Sequence, residues 1–279
     1  MSVRFFLIGG DARQLFLADL LRRDGHIVET SALSDESPDF SRLSQSDCVL
    51  LPMPLLGRND AIFAPLCPTP VSLHAVLNHL APTQTIFAGK VGPDVHKQAA
   101  ALGLTIHDIL RREELAVANA VPTAEGALQI AMEHLPTTIH QSRILVAGFG
   151  RVGQCTAQRF RALGAEVWVC ARAPGQLALA ENMGLHTISL QHMPQLRKEF
   201  DLLINTVPAT IFTRTKLEPL GRPLLMELAS PPGGFDHDAV RDLNLTLISA
   251  PGLPGKAAPL TAAHIIQKTI YRMLEELDF

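Results

Sequence analysis

Arg143-Ile144-Leu145-Val146-Ala147-Gly148-Phe149-Gly150-Arg151-Val152-Gly153 is the stretch that decides the fold. A short apolar run leads straight into G-x-G-x-x-G, and the residues after it have helical spacing. In such a unit the first glycine permits the tight turn and the second lets the backbone approach a pyrophosphate. The third lets helix and strand pack closely, and the helix N-terminus supplies a positive field for the phosphates. The hexapeptide alone is a weak signal, since glycine-rich turns are common. Here the flanking pattern agrees, and a second strand candidate follows at Ala165-Glu166-Val167-Trp168-Val169-Cys170. Gly148, Phe149, Gly150, Arg151, Val152 and Gly153 are therefore expected to bind a dinucleotide.

The end of that second strand bears on which dinucleotide. An NAD site usually carries an acid about 20 residues past the glycines, bonded to the ribose 2′-hydroxyl. This chain has Ala171-Arg172 instead. No carboxylate there repels a 2′-phosphate, and a guanidinium is available to pair with one. The alternative is a solvated loop arginine. NADP is the expected cofactor, with NAD as the second choice.

Composition limits the rest. At 279 residues the chain has room for two ordinary domains, and it is 47% apolar and 18% charged. A formal net charge of −3, without a Lys/Arg-rich run, gives no footprint for nucleic acid. The N-terminal apolar run is too short for a signal peptide, and nothing approaches a membrane span. A cytoplasmic protein is expected. Cys48, Cys67, Cys155 and Cys170 lack metal-ligand spacing, and Cys155 and Cys170 read as buried small residues. The eleven histidines form no H-E-x-x-H, and G-x-S-x-G is absent, so neither a metalloenzyme nor a hydrolase is indicated.

Apolar runs alternate with helical segments along the whole chain, which predicts an α/β protein of two Rossmann-like, doubly wound parallel-sheet domains with a cleft between them. Strands are expected at 3–8, 26–29, 47–51, 84–88 and 104–107, with a helix at 12–23. Prolines 52, 54, 65, 68 and 70 mark an irregular cleft-lining region. A linking helix is read from Thr123 to Leu135, with Pro122 and Thr123 as its start signals. Further strands are expected at 143–147, 165–170, 185–188, 201–205, 223–228 and 245–249. The domains are thus residues 1–135 and 142–260. A last helix at 261–277, with Thr261 as its cap, is free to cross back onto the first domain.

Ligands in open parallel sheets bind beyond the carboxyl ends of the strands. After the fourth strand of the second domain, Asn205-Thr206-Val207-Pro208 can border the nicotinamide ribose or form a simple turn. After the fifth comes Glu227-Leu228-Ala229-Ser230-Pro231-Pro232-Gly233-Gly234-Phe235-Asp236, where Asp236 reads as a helix cap. After the sixth, Lys256 sits among glycines and prolines, placed to hold a substrate carboxylate or move a proton. In the first domain Gly9-Gly10-Asp11-Ala12-Arg13-Gln14 follows strand one. Arg13 sits at the unfavourable end of a helix dipole, which calls for an anion, either a ligand or Asp11. Lys90 is a weaker candidate. Asn119, Thr123 and Glu125 gather where the linking helix begins, although Glu125 also suits a first helical turn.

Together these segments resemble the dipicolinate synthase A-subunit family. The likeness runs through Gly9-Gly10-Asp11-x-Arg13-Gln14, Asn119-Ala120-x-Pro122-Thr123-Ala124-Glu125-Gly126 and the glycine loop. It continues through Asn205-Thr206-Val207-Pro208-Ala209, the Glu227–Asp236 block and Ala250-Pro251-Gly252-Leu253-Pro254-Gly255-Lys256. His264 stands where the family pattern has a small residue. The resemblance implies an oxidoreductase of the lysine pathway in the mother cell of a spore-forming bacterium. It would make dipicolinate from a dihydro- or 4-hydroxy-tetrahydrodipicolinate, a small dicarboxylate. A flavoprotein-like B subunit is the implied partner, and assembly with copies of itself is expected. On that reading Arg13 and Lys256 clamp the carboxylates, with Gln14, Asn119 and Thr123 beside them as substrate-binding residues, and Glu125 is the base. Two other readings stay open: a different two-domain NADP dehydrogenase, resembling shikimate or methylenetetrahydrofolate dehydrogenase, and a cofactor-binding regulatory subunit.

Overall fold

A computed structural model describes residues 2–279. The first unit contains β1 (Arg4–Ile8), α1 (Ala12–Arg23), β2 (Ile27–Ser31), β3 (Cys48–Leu50), α2 (Leu73–Leu77), β4 (Thr85–Ala88), α3 (Pro93–Ala101) and β5 (Ile106–Asp108). A long helix, α4 (Glu113–His134), follows. The second unit contains β6 (Arg143–Ala147), α5 (Arg151–Ala162), β7 (Glu166–Ala171), α6 (Pro174–Asn182), β8 (His186–Ser189), β9 (Leu202–Asn205), α7 (Arg214–Leu217), β10 (Leu224–Glu227), α8 (His237–Asp242), β11 (Leu247–Ser249) and α9 (Leu253–Ala257). The last helix is α10 (Pro259–Glu276).

Both sheets are parallel throughout. The first runs β2-β1-β3-β4-β5 and the second β11-β10-β9-β6-β7-β8. The first has the flavodoxin-like order and the second the Rossmann order, so strand order reverses between β1 and β3 and between β6 and β9. The central strands are apolar on both faces, as a sheet covered on both sides requires, while the edge strands β2 and β8 are partly polar and exposed. Phe6, Ile8, Val49 and Ile86 face one core of the first unit, while Phe5, Leu7, Leu50 and Phe87 face the other. In the second unit Ile144, Val146, Val169 and Ile204 face one core, and Leu145, Ala147, Cys170 and Leu203 the other. Every strand expected from the sequence is present, with ends shifted by at most two residues.

Two helix starts differ from expectation. α4 begins ten residues before Thr123, at Glu113, and Pro122 lies inside it. Proline offers no N–H to the carbonyl four residues back. The compact units divide at that carbonyl's residue, between Ala118 and Asn119, rather than after residue 135. α10 begins at Pro259 with Ala258 preceding it, so Thr261 lies inside the helix rather than capping it. Proline's fixed φ suits a first helical position and outweighs the threonine signal.

Unit 1 comprises residues 1–118 and 258–279, so α10 is part of it. The helix buries Ala263, Ile266, Ile270, Met273 and Leu274 in the core that also holds Leu17 and Leu21 of α1. Full burial of such a side chain contributes roughly 1.5–3 kcal/mol. Asp24, at the end of α1, accepts hydrogen bonds from Gln267 Nε2 at 2.9 Å and Tyr271 Oη at 2.7 Å.

The proline-rich stretch after β3 folds back over the end of β1. Phe63 N donates to the Leu55 carbonyl, and Ile62 N to that of Val71. The Phe63 carbonyl then accepts from Gly10 N at 2.6 Å. A phosphate would need that same N–H, so the Gly9-Gly10 turn is closed as an anion loop.

His26 supplies a pH-sensitive point in this unit. Its Nδ1 accepts from Val3 N at 3.2 Å, while its ring meets Phe5 and Tyr271 edge-on. Burial is the main cause that lowers its pKa, opposed by the nearby Asp24 carboxylate. A lowered imidazole pKa means stability present above the unfolded value, about 6.5, and lost as pH falls through the folded one. The melting temperature should decline between about pH 7 and 5. His26→Gln, which keeps an acceptor for Val3, should flatten that slope, and a slope unchanged in the variant removes His26 from the account.

Candidate functional site

The three glycines of the loop are required for three different reasons. Gly148 ends β6 at φ +88°, and a Cβ there would lie 2.4 Å from Thr206 Oγ1. That hydroxyl donates to the Ala147 carbonyl at 2.8 Å, tying the β6 and β9 ends together. Gly153 is on the inner face of α5, where a Cβ would come within 2.1 Å of the Gly148 carbonyl oxygen. Gly150, before the first turn of α5, has nothing within 4 Å of such a Cβ. Fold demands glycine at 148 and 153, whereas at 150 a side chain would project only into open space. That is where a pyrophosphate would approach the helix N-terminus. Thr156, Ala157 and Phe160 continue the buried face below Gly153.

A cavity of about 510 Å³ opens at this switch point. Every cofactor residue expected from the sequence lines it except Asn205. Ala171 and Arg172 stand at the end of β7, with Arg172 exposed. The residues present fit a dinucleotide: backbone N–H groups at a helix start, a gap where a Cβ would intrude, and no acid at the end of β7. Gln176, Leu190 and Ile211 also line the wall, and sequence reasoning does not single them out. Gln176 is the findable one, since it lies in the first turn of the helix after Ala171-Arg172.

Asn205 is fully buried and works behind the wall. Its Nδ2 donates to the Val207 carbonyl at 2.9 Å and to Glu227 Oε1 at 2.6 Å, and its Oδ1 accepts from Val207 N at 3.1 Å. Glu227 also accepts from Ala229 N at 2.9 Å and from Gly234 N at 2.6 Å. The loops after β9 and β10 are further joined by stacked Phe212 and Phe235 rings, 4.7 Å apart. Asn205 is therefore a support of the cavity rather than part of its wall. Asp236 caps α8 through Asp238 N and Ala239 N, as expected.

The structure pairs the expected base, Glu125, with an arginine. Glu125 is exposed and pairs with Arg159 at 3.3 Å, and Arg159 Nη1 also lies 2.7 Å from Cys155 Sγ. Arg159 is eight residues along α5 from Arg151, about 12 Å down the helix from the glycine loop. Cys155 is half-buried rather than fully buried, and burial is the main cause that raises its thiol pKa, against Arg159.

Arg13 sits at the switch point of the first sheet. Its Nε and Nη2 each lie 2.8 Å from the Asp11 carboxylate, and Nη2 also donates to the Met53 carbonyl. The internal pair is what the structure contains, and none of these bonds uses Nη1. Gln14 is buried against Gly10, with its amide 3.4 Å from the Leu50 carbonyl, so it packs rather than faces a ligand. Lys256 is exposed, on the short helix α9 rather than in a loop. Leu253 and Ala257 of α9 pack against Gly126 of α4, where a Cβ would come within 3.2 Å of both. Asn119, Thr123 and Gly126 follow helical spacing on α4. Thr123 Oγ1 donates to the Asn119 carbonyl at 2.7 Å, and Asn119 Oδ1 is buried without a hydrogen-bond partner. Lys90 N donates to Asp108 at 3.1 Å with its side chain exposed, and His264 is exposed on α10.

Residues 4–110 match the family model described as the N-terminal domain of the dipicolinate synthase A subunit. Residues 111–218 match the NAD-binding domain of D-isomer-specific 2-hydroxyacid dehydrogenases. The chain is 31% identical over 295 residues to the A subunit of dipicolinate synthase from Bacillus subtilis (strain 168), an alignment covering 99% of this chain and 97% of that one. The chain belongs to the dipicolinate synthase A-subunit family. Crystal structures of family members from Bacillus subtilis and Bacillus halodurans superpose with TM-scores of 0.87 and 0.89 at 29% and 27% identity. They cover 100% and 98% of this chain and 97% of each of those. A transhydrogenase from Sinorhizobium meliloti, at 14% identity and TM-score 0.67 over 98% of this chain and 92% of that one, shares the fold. The second unit is thus a nicotinamide-dinucleotide domain of the oxidoreductase type. Among the described residues no helix is long and apolar enough to cross a membrane.

The glycines give a paired prediction. Gly150→Ala should leave the melting temperature nearly unchanged while raising the dinucleotide Kd about tenfold or more. Gly153→Ala should lower stability by about 3 kcal/mol or more, because helix and turn must separate. Calorimetry on both variants checks this; equal stability loss at the two positions contradicts the assignment.

Proposed function

We propose that this chain carries out the NADP-dependent oxidation of a dihydro- or 4-hydroxy-tetrahydrodipicolinate to dipicolinate, as the A subunit of a dipicolinate synthase. The observation that carries the reading is the dinucleotide cavity at the β6–β9 switch point, in a chain belonging to this family over its whole length. In the reaction a hydroxy-tetrahydro substrate first loses water. The dihydro ring then loses a hydride and a proton to become aromatic. The coenzyme, when bound, supplies the hydride acceptor.

The chain's own groups bind and orient. Backbone N–H groups at the start of α5 receive the pyrophosphate, and Gly150 leaves room for it. Arg172 pairs with a 2′-phosphate where an NAD site would carry an acid. Arg13, held rigidly by Asp11, and Lys256, exposed on α9, are the cations offered for substrate carboxylates. Asn119 Oδ1 is a buried acceptor in want of a donor, and a ring N–H or hydroxyl of the substrate would satisfy it. Glu125 has no part in the proposal, since its carboxylate is engaged by Arg159. A partner B subunit, by kinship flavoprotein-like, completes the enzyme, which works in the cytoplasm and assembles with copies of itself.

Arg172→Ala should raise the Kd of NADP+ about ten- to a hundredfold, the size of a lost charge-assisted pair, and change that of NAD+ less than about threefold. Equal weakening of the two means Arg172 does not read the phosphate. Arg13→Ala and Lys256→Ala should each lower kcat/KM for dipicolinate formation by about tenfold or more. The assay follows near-ultraviolet absorbance of the aromatic product alongside NADPH. If both variants keep wild-type kcat/KM, neither cation clamps the substrate.

A further inference from the structure

The geometry points to Glu227 as a fixed negative charge that favours the oxidised nicotinamide ring over the reduced one. The inference rests on nicotinamide-coenzyme binding in the second unit and is independent of which substrate is oxidised.

In the Rossmann order the glycine loop takes the pyrophosphate, and the end of β7 faces the ribose of the adenosine half. The nicotinamide half of a bound coenzyme would therefore fall across the switch point, toward the ends of β9 and β10. Glu227 is the last residue of β10 and is in register with Asn205, the last residue of β9. A single amide nitrogen of Asn205 reaches Glu227 Oε1 at 2.6 Å and the Val207 carbonyl at 2.9 Å. Val207 is part of the cavity wall. The carboxylate is thus one side chain removed from the wall, inside the screening length of about 8 Å at physiological salt.

Its partners hold the charge without cancelling it. Oε1 accepts from Asn205 Nδ2 and Ala229 N, and Oε2 from Gly234 N. All three donors are neutral amide N–H groups, and a group that only accepts is using the ionised form of a carboxyl. Glutamine, with one NH₂ of its own, would turn a donor against one of those N–H groups. Half-burial keeps water from screening the charge fully. The oxidised ring carries a formal positive charge and the reduced ring none. A nearby anion therefore lowers the free energy of the first and leaves the second almost untouched. An enzyme that must take up oxidised coenzyme to aromatise a ring gains directly from this bias.

The test is titration calorimetry of the full-length protein with NADP+ and NADPH, and with NAD+ and NADH in parallel. Wild type should bind the oxidised form at least as tightly as the reduced one. Glu227→Gln should raise the Kd of the oxidised form about tenfold more than that of the reduced form. Glu227→Asp keeps the charge and loses the geometry, so it should weaken both forms by a common factor. Equal weakening of both forms by Glu227→Gln overturns the proposal and leaves Glu227 a loop support. Wild type that binds the reduced form about tenfold more tightly also overturns it, a result available even if the glutamine variant does not fold. Failure of wild type to bind any of the four coenzymes overturns this inference together with the coenzyme reading. Unequal binding by wild type with equal loss in the variant fails the inference alone.

Discussion

The close approach of α5 to the turn that follows β6 is the constraint on which the second unit depends. Gly153 lies so near the Gly148 carbonyl that no other side chain fits. That contact brings the start of α5 over the end of the sheet, beside the cavity. It also sets the height of Gly148 against Thr206, so the ends of β6 and β9 meet at the reversal of strand order. Anion binding follows from packing: the helix is positioned by van der Waals contact, and the field at its end comes with it.

The strands are legible in the sequence because both faces of each sheet are covered. Runs such as Phe5-Phe6-Leu7-Ile8 and Ile144-Leu145-Val146-Ala147 feed two cores at once. Helix starts are less so, because proline signals a first turn and also tolerates an interior position when one backbone bond is forgone. At Pro259 the first meaning holds and at Pro122 the second. Local sequence alone does not separate them.

The cofactor wall is readable for the same reason the fold is, since a glycine loop encodes backbone geometry and needs no distant partner. Residues whose meaning depends on a partner far along the chain mislead. Glu125 has the sequence context of a base at a helix start, yet Arg159, distant in sequence and adjacent in space, holds it. Gln14 is polar and follows a strand end, but Gly10 leaves a hollow that its methylene fills. Glu227 is only partly legible, because Ala229 N and Gly234 N reach it from its own loop, whereas Asn205 Nδ2 reaches it only after β9 and β10 pair.

The two sheets share an architecture but not a capacity. Phe63 folds back to take the Gly10 N–H with its carbonyl, so the first sheet's turn is already saturated by the chain itself. The first turn thus has no Gly10 N–H to offer a phosphate, whereas the second sheet's glycine loop leaves open space at Gly150. The first sheet's switch point, freed from phosphate duty, presents a rigidly mounted arginine instead.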